Sequence, residues 1–258
     1  MSAYSVFSTY LEEISSSVDF VRTATQLRPR LGAYLNWGVA GDEEKALFSR
    51  FLGGQPNDDR VYQASLVSVC AGFEQFVADL LEELSDALNE RRLSGPDAER
   101  LFPGILKKQR RYAGHPLDKI NEPRGYWRLV YDDLIGALAT TRVDSDQVTF
   151  YGRSAAVNLG GMDFQSLEKA VERFSIDVPW GEICGSPGLQ AVLGTAAQAE
   201  TRSALEAALE KMVLTRNSLA HSQGAEVVTY IELVKYIGVA RELSKELAAK
   251  LLAIAKRP

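Results

Sequence analysis

One apolar stripe constrains this chain more than any other feature. Val61, Tyr62, Leu66, Val69, Cys70, Phe73, Phe76, Val77, Leu80, Leu81, Leu84 and Leu88 recur at steps of three and four. That spacing is the period of an α-helix with a wide buried face, and it is incompatible with a strand. Asn57 or Asp58 is placed to cap this helix, which should reach about Arg92. A face so wide must be covered from several sides, and the chain supplies further helices to do it. Val6, Phe7, Tyr10, Leu11, Ile14, Val18 and Val21 predict a first helix ending before Pro29. A shorter one is expected from Asp42 to Leu52, stopped by Gly53-Gly54. Leu205, Leu209, Met212, Val213, Leu219 and Ala220 mark one face of a helix from about Glu200 to His221. Val228, Ile231, Val234, Leu243, Leu247 and Leu251 mark a last long helix after the turn Ser222-Gln223-Gly224. These two read as an αα-hairpin.

The middle of the chain is less regular. Ser94-Gly95-Pro96-Asp97 reads as a helix start, and a helix is expected from Tyr126 to Ala139. Val148 to Val157 is compatible with a short strand, a helix or a loop. Phe164 to Phe174 reads as a helix, with Leu167 and Val171 on its apolar side. Pro179, Gly181, Gly185, Pro187 and Gly188 read as loops. The expected class is all-α, with at most a small β-hairpin in the middle insert; the alternation of strands and helices that builds a parallel sheet is absent. The expected organisation is an N-terminal helical extension over 1–56 and a helical domain over 57–258, irregular around 103–200.

Composition narrows the function classes. The chain has 258 residues, is 46% hydrophobic and carries a formal charge of −5. Binding of nucleic acid therefore needs a local basic patch, because the global charge opposes it. Cys70 and Cys184 are far apart, and neither a disulfide framework nor a zinc constellation follows from them and the two histidines. No cofactor is expected. Cytosol is the default compartment for such cysteine usage. The start, MSAYSVFSTYLEEI, has neither a basic leader nor a continuous apolar core, and no run of 18 apolar residues predicts a membrane span.

Both histidines follow an arginine by five positions, in Arg216-Asn217-Ser218-Leu219-Ala220-His221 and in Arg110-Arg111-Tyr112-Ala113-Gly114-His115. Gly114 and Pro116 place His115 in a loop, whereas His221 closes a strongly helical run, so the copy from Arg216 to His221 is the candidate site. Arginine is a permanent cation that meets phosphate oxygens in a bidentate way, and histidine moves protons near neutral pH. Such a pair can cleave RNA without a metal. Five residues on an ideal helix turn about 500°, leaving the two side chains roughly 140° apart. They converge only where the helix ends or where a second surface completes the site, as a twofold dimer would. The plain alternative is a helix C-terminus at which Arg and His favour the negative end of the dipole.

Two further groups attach to this candidate. Glu74 lies in the apolar stretch Cys70-Ala71-Gly72-Phe73-Glu74-Gln75-Phe76 and is either an exposed helical carboxylate or one that orients Arg216 or His221. Lys107, Lys108, Arg110, Arg111, Lys119, Arg124 and Arg128 surround Tyr112, Tyr126 and Trp127. Cations with aromatics suit single-stranded RNA, and the alternative is a solvated loop.

The Arg-Asn-x-x-x-His pattern resembles the signature of the HEPN superfamily. MVLTRNSLAHSQG followed by EVVTYIELVKYIGVARELSKEL resembles its C-terminal helical hairpin, and SLVSVCAGFEQFVADLLEEL the helix with an embedded acidic residue that pairs with it. VNLGGMDFQSLEKAVERFSID is similar to the branch named for association with ribosomal L-PSP-type proteins. The resemblance spans roughly 60–240. It implies a homodimeric helical bundle in which Arg216 and His221 are the catalytic pair and Asn217 the supporting polar residue. It further implies an endoribonuclease, a toxin or antiviral effector that cleaves cellular RNA, with a cognate antitoxin or regulatory protein as a partner. Some relatives of this fold lack nuclease activity, so the rival expectation is a catalytically silent helical dimer that binds a protein or a nucleotide.

Overall fold

The computed structural model describes residues 2–36, 41–43, 58–90, 163–172, 174, 176–221 and 227–256; the side chains of 28–36, of Asp58 and of His221 lie outside the description. The expected helices at 94 and 126–139, most of the one at 42–52, and the strand or hairpin at 148–157 fall outside these residues, as does the 56/57 boundary. Among the described residues 88% are helical and none is in a strand, so the fold is all-α. The elements in chain order are α1 (Ala3–Asn36), α2 (Asp58–Glu90), α3 (Phe164–Glu172), α4 (Trp180–Cys184), α5 (Pro187–Leu193), α6 (Gln198–His221) and α7 (Tyr230–Ala255).

Helix α2 is the centre of the bundle. It packs most extensively against α1 and α7, and also against α6 and α3. Leu66, Val69, Phe73, Phe76, Leu80, Leu81 and Leu84 are all essentially removed from solvent. Burial of each such side chain contributes about 1.5–3 kcal/mol. An 18-residue window of this helix has mean hydropathy 1.4, apolar enough to cross a membrane by composition. Its apolar face is instead taken up by α1, α7 and α6, as in the central helix of a bundle. The rings of Phe7, Phe73 and Phe76 interlock at centroid distances of 5.4–5.9 Å and tie α1 to α2. The backbone N–H of Ala3 donates to Glu83 Oε1 at 2.6 Å, and Tyr10 Oη donates to the Ser68 carbonyl at 3.3 Å. The first helix thus shares one core with the rest of the described chain.

Three expectations need correction. Helix α1 does not stop before Pro29 but continues to Asn36. A proline removes one backbone donor, and a helix already nucleated over many turns carries that loss. The stretch expected as loops from Pro179 to Gly188 contains α4 and α5. Ser186 caps α5, its hydroxyl accepting from the Leu189 N–H at 3.3 Å, and Pro187 stands in the first turn, where a missing N–H costs nothing. Gly194 ends α5 at φ 71°, a left-handed position that only glycine takes without strain. Finally, Ile231 and Val234 are not core residues of α7. The buried face is Leu233, Tyr236, Ile237, Val239, Ala240 and Leu243, and Ile231 is 79% exposed. The start of α7 is fixed by a capping box: Thr229 Oγ1 accepts from the Glu232 N–H at 3.2 Å, and Glu232 Oε2 accepts from the Thr229 N–H at 3.1 Å.

Two glycines mark unequal close approaches. A Cβ on Gly72 would lie 2.5 Å from the Tyr10 ring and 3.1 Å from the Phe7 ring, whereas one on Gly238 would meet the Val192 side chain, with Cγ1 nearest at 3.1 Å. Helix propensity favours alanine by about 1 kcal/mol at both sites. Gly72→Ala should nonetheless lower stability by roughly 1–3 kcal/mol, the usual cost of overpacking. Gly238→Ala should be within about 1 kcal/mol of wild type. Urea denaturation of the two variants checks the contrast.

Candidate functional site

Helices α6 and α2 cross where the arginine of the Arg-Asn-x-x-x-His motif meets the acidic residue singled out in α2. On α6, Leu209, Met212 and Thr215 are buried, and Leu219 packs on the core one turn later. Arg216 follows Thr215 on the rim of that buried face. On α2, Phe73, Phe76 and Val77 point into the core, leaving Glu74 at its edge. The two charges meet there: Arg216 Nη2 donates to Glu74 Oε1 in a short ion-paired hydrogen bond. The side chains are 27% and 35% exposed, so the pair is half-buried. The carboxylate is thus not a free helical glutamate. It takes one terminal nitrogen of the guanidinium, a group with five N–H donors in a fixed fork.

Cys70, one turn before Glu74, closes the apolar side of the pair. It is buried, and its thiol lies 4.0 Å from the Met212 carbonyl oxygen. Burial pushes the thiol up to about 11; Arg216 pulls it down and Glu74 pushes it further up, both by lesser amounts. Cys70 therefore stays a neutral thiol at physiological pH, packed as a small apolar group.

The other motif residues sit at the end of α6. Asn217 is exposed beside Arg216. His221 is the last residue of α6, and its side chain lies outside the described residues. The helix runs unbroken from Arg216 to His221, so no break in α6 offsets the rotation of about 140° between the two positions. Beyond the motif, Lys211 Nζ donates to Glu232 Oε1 at 2.8 Å and links α6 to the first turn of α7. That hydrogen bond is the chief reason the Glu232 carboxyl is held below its ordinary range. Lys107, Lys108, Arg110, Arg111, His115 and the rest of the basic cluster lie outside the described residues. The Lys211–Glu232 link joins residues far apart in the sequence and has only an indirect local signature. Its visible signal was Thr229-Tyr230-Ile231-Glu232, a capping-box spacing.

The pair makes a specific energetic prediction. An exposed ion pair contributes about 0–1 kcal/mol, and breaking a buried one costs about 3–5 kcal/mol. Glu74→Gln, which keeps the hydrogen bond and removes the charge, should cost roughly 1–2 kcal/mol. Glu74→Gln combined with Arg216→Ala should cost clearly less than the sum of the single changes in a denaturant double-mutant cycle; additivity would dissolve the pair. Cys70 should resist iodoacetamide at pH 8 in the folded protein and react on unfolding.

The model of the RiboL-PSP-HEPN family matches residues 42–253, from before α2 to the last turns of α7. No curated protein and no solved structure matches the chain. The family match takes in well over half of the 258 residues, including Glu74 and the whole Arg-Asn-x-x-x-His segment. It agrees with the all-α bundle and with the helix pair that carries the motif, and the chain belongs to the RiboL-PSP-HEPN family.

Proposed function

We propose that this protein is a metal-independent endoribonuclease that works as a homodimer, with Arg216 and His221 of both protomers lining one cleft. The observation that carries the reading is the ion pair between Glu74 and Arg216. A carboxylate from the central helix fixes the motif arginine at the surface end of α6, with donors of its fork left for a phosphate. The unbroken helix supports the dimer, since a five-residue step does not bring Arg216 and His221 onto one face and a twofold partner supplies the missing half.

The chemistry follows from the residue types. The ribose 2′-hydroxyl oxygen attacks the adjacent phosphorus, and the bond from phosphorus to the 5′ oxygen breaks. One His221 takes the 2′ proton and the other protonates the leaving 5′ oxygen, help worth about 10²–10⁴ in rate. Arg216 stabilises the charge of the phosphorane, and Glu74 keeps the guanidinium in place while it does so. Asn217, exposed next to Arg216, holds the arginine or the phosphate. Lys107, Lys108, Arg110 and Arg111 bind the RNA strand. A toxin or antiviral role in the cytosol, restrained by a cognate antitoxin or regulatory protein, completes this reading.

A second reading draws on the same pair. Arg216 is committed to a carboxylate of its own protomer beside buried Cys70 and Met212, which also suits a structural ion pair in a catalytically silent dimer that binds a protein or nucleotide.

Cleavage of total RNA in EDTA separates the two. The enzyme should leave a 2′,3′-cyclic phosphate and a 5′-hydroxyl, and should spare DNA, which lacks the nucleophile. His221→Ala and Arg216→Ala should each lower the rate at least about 100-fold with the dimer intact. Arg216→Lys should fail as well, because an ammonium does not reproduce the fork. His115→Ala should keep most activity. Activity confined to His115, or absent from the wild-type protein, decides against the first reading.

A further inference from the structure

A groove of about 480 Å³ lies between α1 and α7, closed at one side by Val192 of α5. It takes no residue from α2 or α6, so it is separate from the Arg216–Glu74 pair. Its walls are apolar, from Val18, Val192, Ile231 and Val234. Ile231 and Val234 are the two α7 residues that keep off the core. Into this groove the fold also brings Lys235 and Arg241, neither in an ion pair with the described residues. Arg241 Nε is buried with no hydrogen-bond partner. That nitrogen has essentially no accessible surface, so a ligand in the groove meets the rest of the guanidinium, whose fork carries further N–H donors. The single carboxylate lining the groove, Asp19, already accepts from Tyr230 Oη at 2.8 Å, and Arg22 lies 4.0 Å over the Tyr230 ring as a third cation nearby.

We infer that this groove binds a small phosphomonoester with an apolar body, its phosphoryl oxygens held by Arg241 and Lys235 and its body lying on Ile231, Val234 and Val18. The volume is that of a small-ligand site, with mostly apolar walls and a few converging polar groups. A planar guanidinium fork suits a carboxylate or a phosphate. The second cation favours the group with more charge, and a phosphomonoester carries about −1.5 to −2 at pH 7. Ser15 adds a hydroxyl at the same wall.

Isothermal titration of the full chain with phenyl phosphate, inorganic phosphate and benzoate tests this. Phenyl phosphate should bind, and inorganic phosphate, which lacks the apolar body, and benzoate, which keeps the body but carries a single charge, should bind roughly tenfold more weakly or worse. Arg241→Gln should weaken phenyl phosphate about tenfold or more, and Lys235→Ala several-fold. Asp19→Asn, which keeps an acceptor for Tyr230 and removes the opposing charge, should tighten it. Circular dichroism checks the fold of each variant. If Arg241→Gln does not fold, Lys235→Ala and Asp19→Asn carry the test in opposite directions, and no change in either overturns the site. Benzoate binding as tightly as phenyl phosphate overturns the ligand class. Binding retained in Arg216→Ala and weakened in Arg241→Gln and Lys235→Ala assigns the ligand to this groove whatever the outcome of the ribonuclease assays. Binding lost in Arg216→Ala and kept in Arg241→Gln overturns the site.

Discussion

The covering of α2 from several sides is the constraint on which the rest of the described structure depends. This helix carries too much apolar surface for one partner, so α1, α6, α7 and α3 all take a share of it. The tight approach of α1 at Gly72, the Phe7–Phe73–Phe76 cluster and the placement of α6 follow from that requirement. The hydrophobic term is non-directional and selects helices that cover area. The polar contacts at the rims select their register.

The Glu74–Arg216 pair is one such rim contact. The position of Glu74 is inherited from the core, because its neighbours Phe73, Phe76 and Val77 fix the rotation of α2. Met212 and Thr215 fix the rotation of α6 in the same way. Two charges thus meet at a half-buried edge, where water still solvates part of each and the pair avoids the desolvation cost of a fully buried one. Such an edge combines a fixed cation with access for an anionic ligand. Cys70 beside it is silenced by the same burial that secures the helix contact.

The first turns of α7 show a second consequence of core geometry. The capping box and the Lys211–Glu232 hydrogen bond pin the start of the helix on the side of α6. With Leu233, Tyr236 and Ile237 turned inward, Ile231 and Val234 face away from the core, on the side where α1 and α5 leave a groove. Arg241 lies two turns further along that side.

Much of this was legible in the residues alone. The stripes from Val61 to Leu88 and from Leu205 to Ala220 determined helices, because their period admits no other regular structure. The helical run leading up to His221 was also legible, and α6 carries it unbroken through the Arg-Asn-x-x-x-His segment, while Arg110 and His115 lie outside the described residues. Glu74 was visible as a carboxylate in an apolar stretch with Arg216 or His221 as a candidate partner, but the contact with Arg216 joins residues 142 positions apart and depends on how two helices rotate against each other. Local signals also misled. Pro29 and Pro187 each signal a break by local propensity, whereas one sits inside a long helix and the other in a first turn. Ile231 and Val234 have the spacing of a buried face, and only the packing of α7 against α2, α1 and α5 assigned burial to Leu233 and Tyr236 instead. Periodicity reports that a helix has a face, and the neighbours that cover it decide which residues that face contains.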